Sequence, residues 1–285
     1  MTAPLITASI VIHRTEPGML RRAIDSLRGS AVSHLYLIDN SPSPISAPPE
    51  STADLCVSYA HVKNDGFGAA HNIAIRRAIS EGSDFHLVMN PDVEWEGDAI
   101  GPMVEYMRQH PDTGMAMPRT VYPDGVLQYT CRMLPTPWDV FAKRFLPARF
   151  TETRMRRYLL EEADHSQIID CPYLLGSCLL FRIKALEDTG LFDERFFMYP
   201  EDIDITRRIH RKYRSLYLPL TTVTHRHAAA SRKSLRMLRI HILNMIKYFN
   251  KWGWFIDKER REFNRRMLNE IPKYSAGEEI PPGRG

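Results

Sequence analysis

The chain has 285 residues, with 38 Lys and Arg against 34 Asp and Glu, a net charge of +4. So mild an excess suits an anionic ligand or a lipid surface and argues against a nucleic-acid-binding protein, whose affinity rests on concentrated positive charge. At 44% hydrophobic and 25% charged residues the composition is that of an ordinary globular protein, and the scattered Cys56, Cys131, Cys171 and Cys178 form no CxxC pair, which argues against zinc and for reduced thiols.

Leu5 to Ile12 reads as a strand rather than a signal peptide. No apolar run approaches the ~20 residues that span a bilayer. The expectation is a cytoplasmic protein that rests on a membrane at most.

Leu5 to His13 reads as the first central strand. Thr15-Glu-Pro17 reads as a helix start, and Leu20, Ala23, Ile24 and Leu27 keep helical spacing until Gly29. His34 to Asp39 is a second strand ending in a carboxylate, followed by the loop Asn40-Ser-Pro-Ser-Pro44. Leu55 to Ala60 is a weaker third strand. Asn64-Asp-Gly-Phe-Gly-Ala-Ala-His-Asn72 opens a helix that runs to about Ser80. Phe85 to Asp92 is an apolar run cut off by Pro91, as expected of a buried parallel strand. A helix from about Gly97 to Gln109 and a short strand at Met115-Ala-Met117 follow. This alternation predicts a doubly wound, largely parallel α/β sheet.

The middle is less regular. Tyr122-Pro-Asp-Gly125 is a turn signal. Lys143 to Arg157 is basic with interleaved apolar residues, either a solvated helix face or a patch for an anionic acceptor or lipid surface. Tyr173 to Phe181 reads as one strand interrupted at Gly176-Ser177. Pro200 opens a helix with Glu201, Asp202 and Asp204 in its first turn, whose dipole is expected to lower the pKa of Asp202. Leu216 to Thr224 is a strand closed by His225-Arg-His227. Ser231 to Arg266 is basic and amphipathic, with a break at Lys251-Trp-Gly-Trp254. The last residues, from about Lys273, are expected to be disordered.

Several of these pieces suit a nucleotide-diphosphate ligand held at strand ends. Asp39 can accept hydrogen bonds from a base or ribose. Asp92 can ligate Mg²⁺ or Mn²⁺, which take carboxylates and ligand phosphates and need few protein ligands. His225 or His227 could complete that shell, and the Glu201-Asp202 pair could supply a general base. Each has a plainer reading: a strand-ending Asp as a turn former, first-turn acids as partners of the helix dipole, and the histidines as surface residues. Gly66-x-Gly68 is a poor dinucleotide fingerprint, because His71 replaces the third glycine and the motif does not follow the first strand.

In this order and spacing, Ser9-Ile-Val-Ile, Leu37-Ile-Asp-Asn40, Asn64 to Asn72, Asn90-Pro-Asp92, Gly190 to Asp204 and His225 to Ser231 resemble a family 2 glycosyltransferase of the GT-A fold. The tail Tyr248-Phe-Asn-Lys-Trp-Gly-Trp254 is similar to that of the bacterial rhamnosyltransferase-like branch. The resemblance implies an inverting transfer from a nucleotide-diphosphate sugar, in that branch often dTDP-L-rhamnose, to a saccharide or lipid-linked acceptor in cell-surface polysaccharide synthesis. It implies nucleotide-sugar contacts at Asp39, Asn64, Gly66, Asn72, Asn90 and Asp92, a metal at Asp92 and His225, and catalysis by Asp202 with Glu201 beside it. It implies a catalytic domain over residues 1–230, with a nucleotide-binding half at 1–117 and an acceptor-binding half at 118–230. A helical extension at 231–272 and a tail at 273–285 would follow. Two departures stand out: His13-Arg14 replaces the usual Tyr-Asn, and Asn90 stands where many relatives have Asp. The rival reading is a silent nucleotide-sugar-binding module on the same fold.

Overall fold

The computed structural model describes residues 3–145, 151–226, 235–274 and 282–284. Its strands are β1 (Ile6–Ile12), β2 (His34–Asp39), β3 (Cys56–His61), β4 (Phe85–Met89), β5 (Val93–Glu94), β6 (Thr113–Val121), β7 (Leu127–Gln128), β8 (Cys131–Arg132), β9 (Ile169–Asp170), β10 (Tyr173–Leu174), β11 (Cys178–Arg182), β12 (Arg214–His225) and β13 (Gly283–Arg284). Its helices are α1 (Pro17–Leu27), α2 (Phe67–Ser80), α3 (Gly101–Gln109), α4 (Pro137–Phe145), α5 (Glu152–Tyr158), α6 (Ile183–Thr189), α7 (Glu201–His210), α8 (Leu235–Trp252) and α9 (Lys258–Glu270).

The main sheet runs β13-β7-β6-β11-β4-β1-β2-β3, with β12 laid along β6. Strands β3, β2, β1 and β4 are mutually parallel. Antiparallel β11 lies between β4 and β6, and β12 runs parallel to β6. Asp39, Asn90 and His225 therefore leave the sheet at one edge, the carboxyl edge where open α/β sheets take ligands.

Both faces are covered. Ile6, Ala8, Ile10 and Ile12 of β1 point to one side, against Leu20, Ile24 and Leu27 of α1 and Met103 and Met107 of α3. Tyr36 and Ile38 of β2 point to the other, against Ala74, Ile75 and Ala78 of α2 and Ile205 and Ile209 of α7. Period-two alternation in the strands and the 3.6-residue stripe in the helices produce this division. Glu16 caps α1 by accepting from the amides of Gly18 and Met19, both at 2.7 Å.

Two expectations differ from the fold. The single strand read over Tyr173 to Phe181 is two. β10 pairs antiparallel with β8 in a separate sheet, and the chain turns at Gly176-Ser177 before β11. The tail read as disordered ends in β13, which pairs with β7. β7 otherwise leaves part of its backbone unmet at the sheet edge, and the Tyr129 amide donates to the Arg284 carbonyl at 2.9 Å. Residues 275–281 lie outside the described residues.

Helix α7 is clamped from behind by the C-terminal helices. Arg207 is 1% exposed and donates two hydrogen bonds to Asp257, at 2.6 and 2.8 Å, and one to Glu259 at 2.7 Å. Its guanidinium lies 4.2 Å from the ring of Trp252, with Arg211 at 4.6 Å. Buried Asp204 meets Arg208 at 2.9 Å and Lys251 at 2.6 Å, and accepts from the Trp252 indole at 2.8 Å. The Lys251-Trp-Gly-Trp254 segment is thus a structural lock on the helix that carries Asp202.

Candidate active site

Asp202 is the second residue of α7. Its Oδ1 accepts from the Ile203 amide at 2.8 Å, and its Oδ2 accepts from the Gly176 amide at 3.1 Å and the Tyr173 hydroxyl at 3.4 Å. Burial pushes its carboxyl up to about 6, against the lowering effect of the two amides and the nearby Arg132 charge. This differs from the expectation that the helix dipole would lower it: the group is 9% exposed, and lost hydration outweighs the dipole. The value suits a general base at neutral pH, ionised and still basic. Glu201 is driven further up, first by burial and then by the charge of Asp202. Its Oε2 has no hydrogen-bond partner among the described residues. Burial thus favours its neutral form.

Asp92 and His225 meet. The antiparallel pairing of β5 with β12 sets His225 opposite Val93, and His225 Nε2 lies 3.3 Å from Asp92 Oδ1. Gln128 orients the ring. Its Nε2 donates to the His225 carbonyl at 2.7 Å, so its Oε1 must be the atom facing His225 Nδ1 at 2.9 Å. A carbonyl oxygen cannot donate, so Nδ1 carries the proton. In the neutral tautomer so fixed, Nε2 presents a lone pair beside the carboxylate, and the two atoms together could ligate one divalent cation. Two protein ligands, with the rest supplied by diphosphate oxygens, fit Mg²⁺ or Mn²⁺. Among the described residues no group of three or more His, Cys, Asp or Glu forms a closed metal site. His227 lies outside the described residues.

The two halves are joined by backbone. The Asn90 amide donates to the Ser177 carbonyl at 2.9 Å, one residue from the Gly176 amide that holds Asp202. Gly176 makes that approach close: a Cβ there would come 3.1 Å from the Cβ of Asp202.

Beside β1 and β2 opens a cavity of about 510 Å³, lined by His13, Asn40, Asn64, Phe67, Phe197 and Arg236 among others. His13, one of the two departures from the family pattern, lies on its wall, as does Arg14. Asp39 is fully buried. Its carboxylate accepts from the amides of Ser41 at 2.8 Å and Ile45 at 3.1 Å and from the Tyr59 hydroxyl at 2.7 Å. Burial raises its pKa, but these donors outweigh burial and leave it below the usual value. Asp39 thereby shapes the loop that presents Asn40, whose Oδ1 is buried without a partner among the described residues. Asn64 accepts from the Gly66 amide at 3.3 Å. Gly66 has φ +112°, and a Cβ there would strike the Phe197 carbonyl at 2.3 Å, so it lets two backbones cross. Asn72 pins the loop after α6, donating to the Phe192 carbonyl and Glu194 at 2.9 Å each and accepting from the Phe192 amide at 3.0 Å.

Asn40, Gln128, Arg132 and Tyr173 were not singled out from the sequence. Asn40 carries a signal, because it directly follows a strand-ending Asp. Gln128, Arg132 and Tyr173 lie in the irregular middle, where no periodicity marks them.

The fold is also that of solved glycosyltransferases. The mannosyltransferase PcManGT from Pyrobaculum calidifontis, in complex with GDP-Man and Mn²⁺, aligns with a TM-score of 0.55 at 15% identity, over 88% of this chain and 64% of that one. TarS from S. aureus aligns with a TM-score of 0.55 at 13% identity, over 93% and 43%. These likenesses define the fold as GT-A.

Residues 9–190 match the model of glycosyl transferase family 2, and the chain belongs to that family. Over 150 residues it is 32% identical to the N-acetylglucosaminyl-diphospho-decaprenol L-rhamnosyltransferase of Mycobacterium tuberculosis, covering 51% of this chain and 48% of the relative. Over 152 residues it is 26% identical to the low-salt glycan biosynthesis hexosyltransferase Agl10 of Haloferax volcanii, covering 52% and 44%. The chain spans about half the length of the curated relatives it matches.

Proposed function

We propose that the protein is an inverting glycosyltransferase that moves a sugar from a nucleotide-diphosphate donor, best L-rhamnose from dTDP-L-rhamnose, onto a saccharide or lipid-linked acceptor. The observation that carries the reading is the coupling of the Asp92–His225 pair to the buried base Asp202 through the Asn90–Ser177 backbone bond. The rhamnosyltransferase relative, whose name specifies a diphospho-decaprenol acceptor, supports the sugar and the acceptor class.

In this mechanism the cavity at His13, Asn40 and Asn64 takes the nucleoside. Asp202 removes the proton from an acceptor hydroxyl, and that oxygen attacks the anomeric carbon from the face opposite the diphosphate. General-base help of this kind contributes about 10²–10⁴-fold. Asp92 and His225 would hold Mg²⁺ or Mn²⁺, which when bound offsets charge on the leaving diphosphate. Burial favours the neutral form of Glu201, which leaves Asp202 as the member of the pair to act as base.

Among the described residues no helix is long and apolar enough to cross a membrane. Exposed Trp138 on α4, and Phe255 and Ile256 between α8 and α9, support a peripheral contact with the inner face of the plasma membrane, where a lipid-linked acceptor would be met.

A thermal-shift panel of dTDP-, UDP- and GDP-sugars with and without Mg²⁺ or Mn²⁺, followed by a transfer assay, tests the reading. Metal-dependent stabilisation by dTDP-L-rhamnose and transfer with inversion are expected. A preference for a uridine or guanosine sugar would move the donor and keep the class. No stabilisation by any nucleotide sugar would reject it.

A further inference from the structure

Arg132 stands on β8 across from Tyr173 on β10. The Tyr173 hydroxyl in turn lies 3.4 Å from Asp202 Oδ2. The arginine is partly buried, its Nε donates to the Tyr129 carbonyl at 2.8 Å, and the Tyr158 phenol lies against the guanidinium.

Among the described residues no carboxylate forms an ion pair with Arg132. The other buried arginines contrast with it. Arg207 has Asp257 and Glu259, Arg208 has Asp204, and Arg260 has Asp257. Arg182 lacks a carboxylate, but its fork is used on the carbonyls of Thr113, Met107 and His110. Among the described residues the Arg132 guanidinium is engaged by the Tyr129 carbonyl and the Tyr158 phenol and by no carboxylate at ion-pair distance.

The charge of Asp202 favours the guanidinium without pairing with it directly, and a partly buried guanidinium without a hydrogen-bonded counter-ion is costly. Its planar fork matches a phosphate with two parallel hydrogen bonds. Tyr158, Leu175 and Gly176 in the same region are themselves partly exposed.

Resting on the glycosyltransferase reading, we infer that Arg132, with the Tyr158 hydroxyl, is the acceptor-side anion site: it binds a phosphate or diphosphate group on the acceptor whose hydroxyl faces Asp202. The site selects acceptors that carry their sugar on a phosphate over neutral glycosides of the same sugar. The same phosphate chemistry could come from a lipid-linked diphosphate or from a soluble sugar phosphate, and both belong in the test.

The experiment compares three acceptors of N-acetylglucosamine with the full chain, donor and Mn²⁺: the diphospho-farnesyl form, the soluble 1-phosphate and the neutral octyl glycoside. Charge-assisted hydrogen bonds of this kind correspond to about 10–100-fold in affinity. Arg132→Gln should raise KM for the diphosphate acceptor by about that factor, leave KM for the octyl glycoside unchanged, and leave donor stabilisation intact. A parallel loss on the 1-phosphate identifies the phosphate itself as the ligand; a loss confined to the farnesyl form identifies the lipid-linked source. Equal losses in kcat on charged and neutral acceptors, with the acid limb of the pH profile displaced, would overturn the site in favour of electrostatic tuning of Asp202. Should Arg132→Gln fail to fold, Arg132→Lys and Tyr158→Phe read the same KM split. Wild-type protein inert on all three acceptors and unmoved by any donor rejects the glycosyltransferase reading, and this site falls with it.

Discussion

Gln128 fixes which nitrogen of His225 faces Asp92. It donates to the His225 carbonyl at 2.7 Å and accepts from Nδ1 at 2.9 Å, which leaves Nε2 aimed at the carboxylate 3.3 Å away. Groups that orient a metal-ligating histidine typically account for about 10–100-fold in metal affinity. Gln128→Leu is therefore expected to weaken Mn²⁺ binding by about that factor in calorimetric titrations with nucleotide present. Unchanged Mn²⁺ affinity would show that the ring holds its place without the amide.

Asp202 is expected to give the acid limb of the rate profile. Its carboxyl is pushed up to about 6 by burial, so the ionised base accumulates as pH rises through that value and is lost as pH falls below it. Asp202→Asn should lower kcat by at least about a hundredfold and leave donor-induced thermal stabilisation in place. A variant that keeps near-wild-type turnover would remove Asp202 from the mechanism.

Glu201 yields a stability prediction of definite sign. Burial raises its pKa well above the ordinary carboxylate range, with the Asp202 charge adding to it. In the unfolded chain the group ionises near its ordinary value. The neutral native form is therefore fully favoured below that value and loses ground as pH rises towards the native pKa. Glu201→Gln, which cannot ionise, should raise Tm by about 2–4 °C at pH 8 and change it little at pH 4. A Tm difference independent of pH would mean that the side chain is ionised in the native protein.

The lock behind α7 is expected to be costly to break. Removing one partner of a buried ion pair commonly costs about 3–5 kcal/mol, because the other charge stays buried. Asp257→Ala strands Arg207, which is 1% exposed, and should lower the unfolding midpoint in urea and the activity together. A variant with normal stability would show that Glu259 and Trp252 suffice for Arg207.

Much of the edge was legible locally. Pro91 ends a buried strand and leaves Asp92 beyond it, and Pro200 opens a helix that puts Asp202 in its first turn. What approaches Gly66 most closely is the backbone of Phe197, far along the chain. Asn72 was read as a ligand contact from a resemblance alone, and Asp39 from its place at a strand end. Asp39 instead holds its own loop at Ser41 and Ile45 and reaches Tyr59 on the next strand, and Asn72 reaches Phe192 and Glu194 over a separation that no local pattern encodes.

The sequence by itself determined the alternation of strands and helices, the faces they bury and the strand ends that carry carboxylates, because those depend on periodicities of two and 3.6 residues and on where proline and glycine interrupt them. Tertiary structure decided the chemistry. Burial, not the helix dipole, sets the basicity of Asp202. The β5–β12 pairing brings His225 to Asp92 across more than a hundred residues of chain. Gln128 and Arg132 acquire their roles from the irregular middle folding back onto the sheet. Solvation and proximity are properties of the packed molecule, and the order of residues along the chain does not carry them.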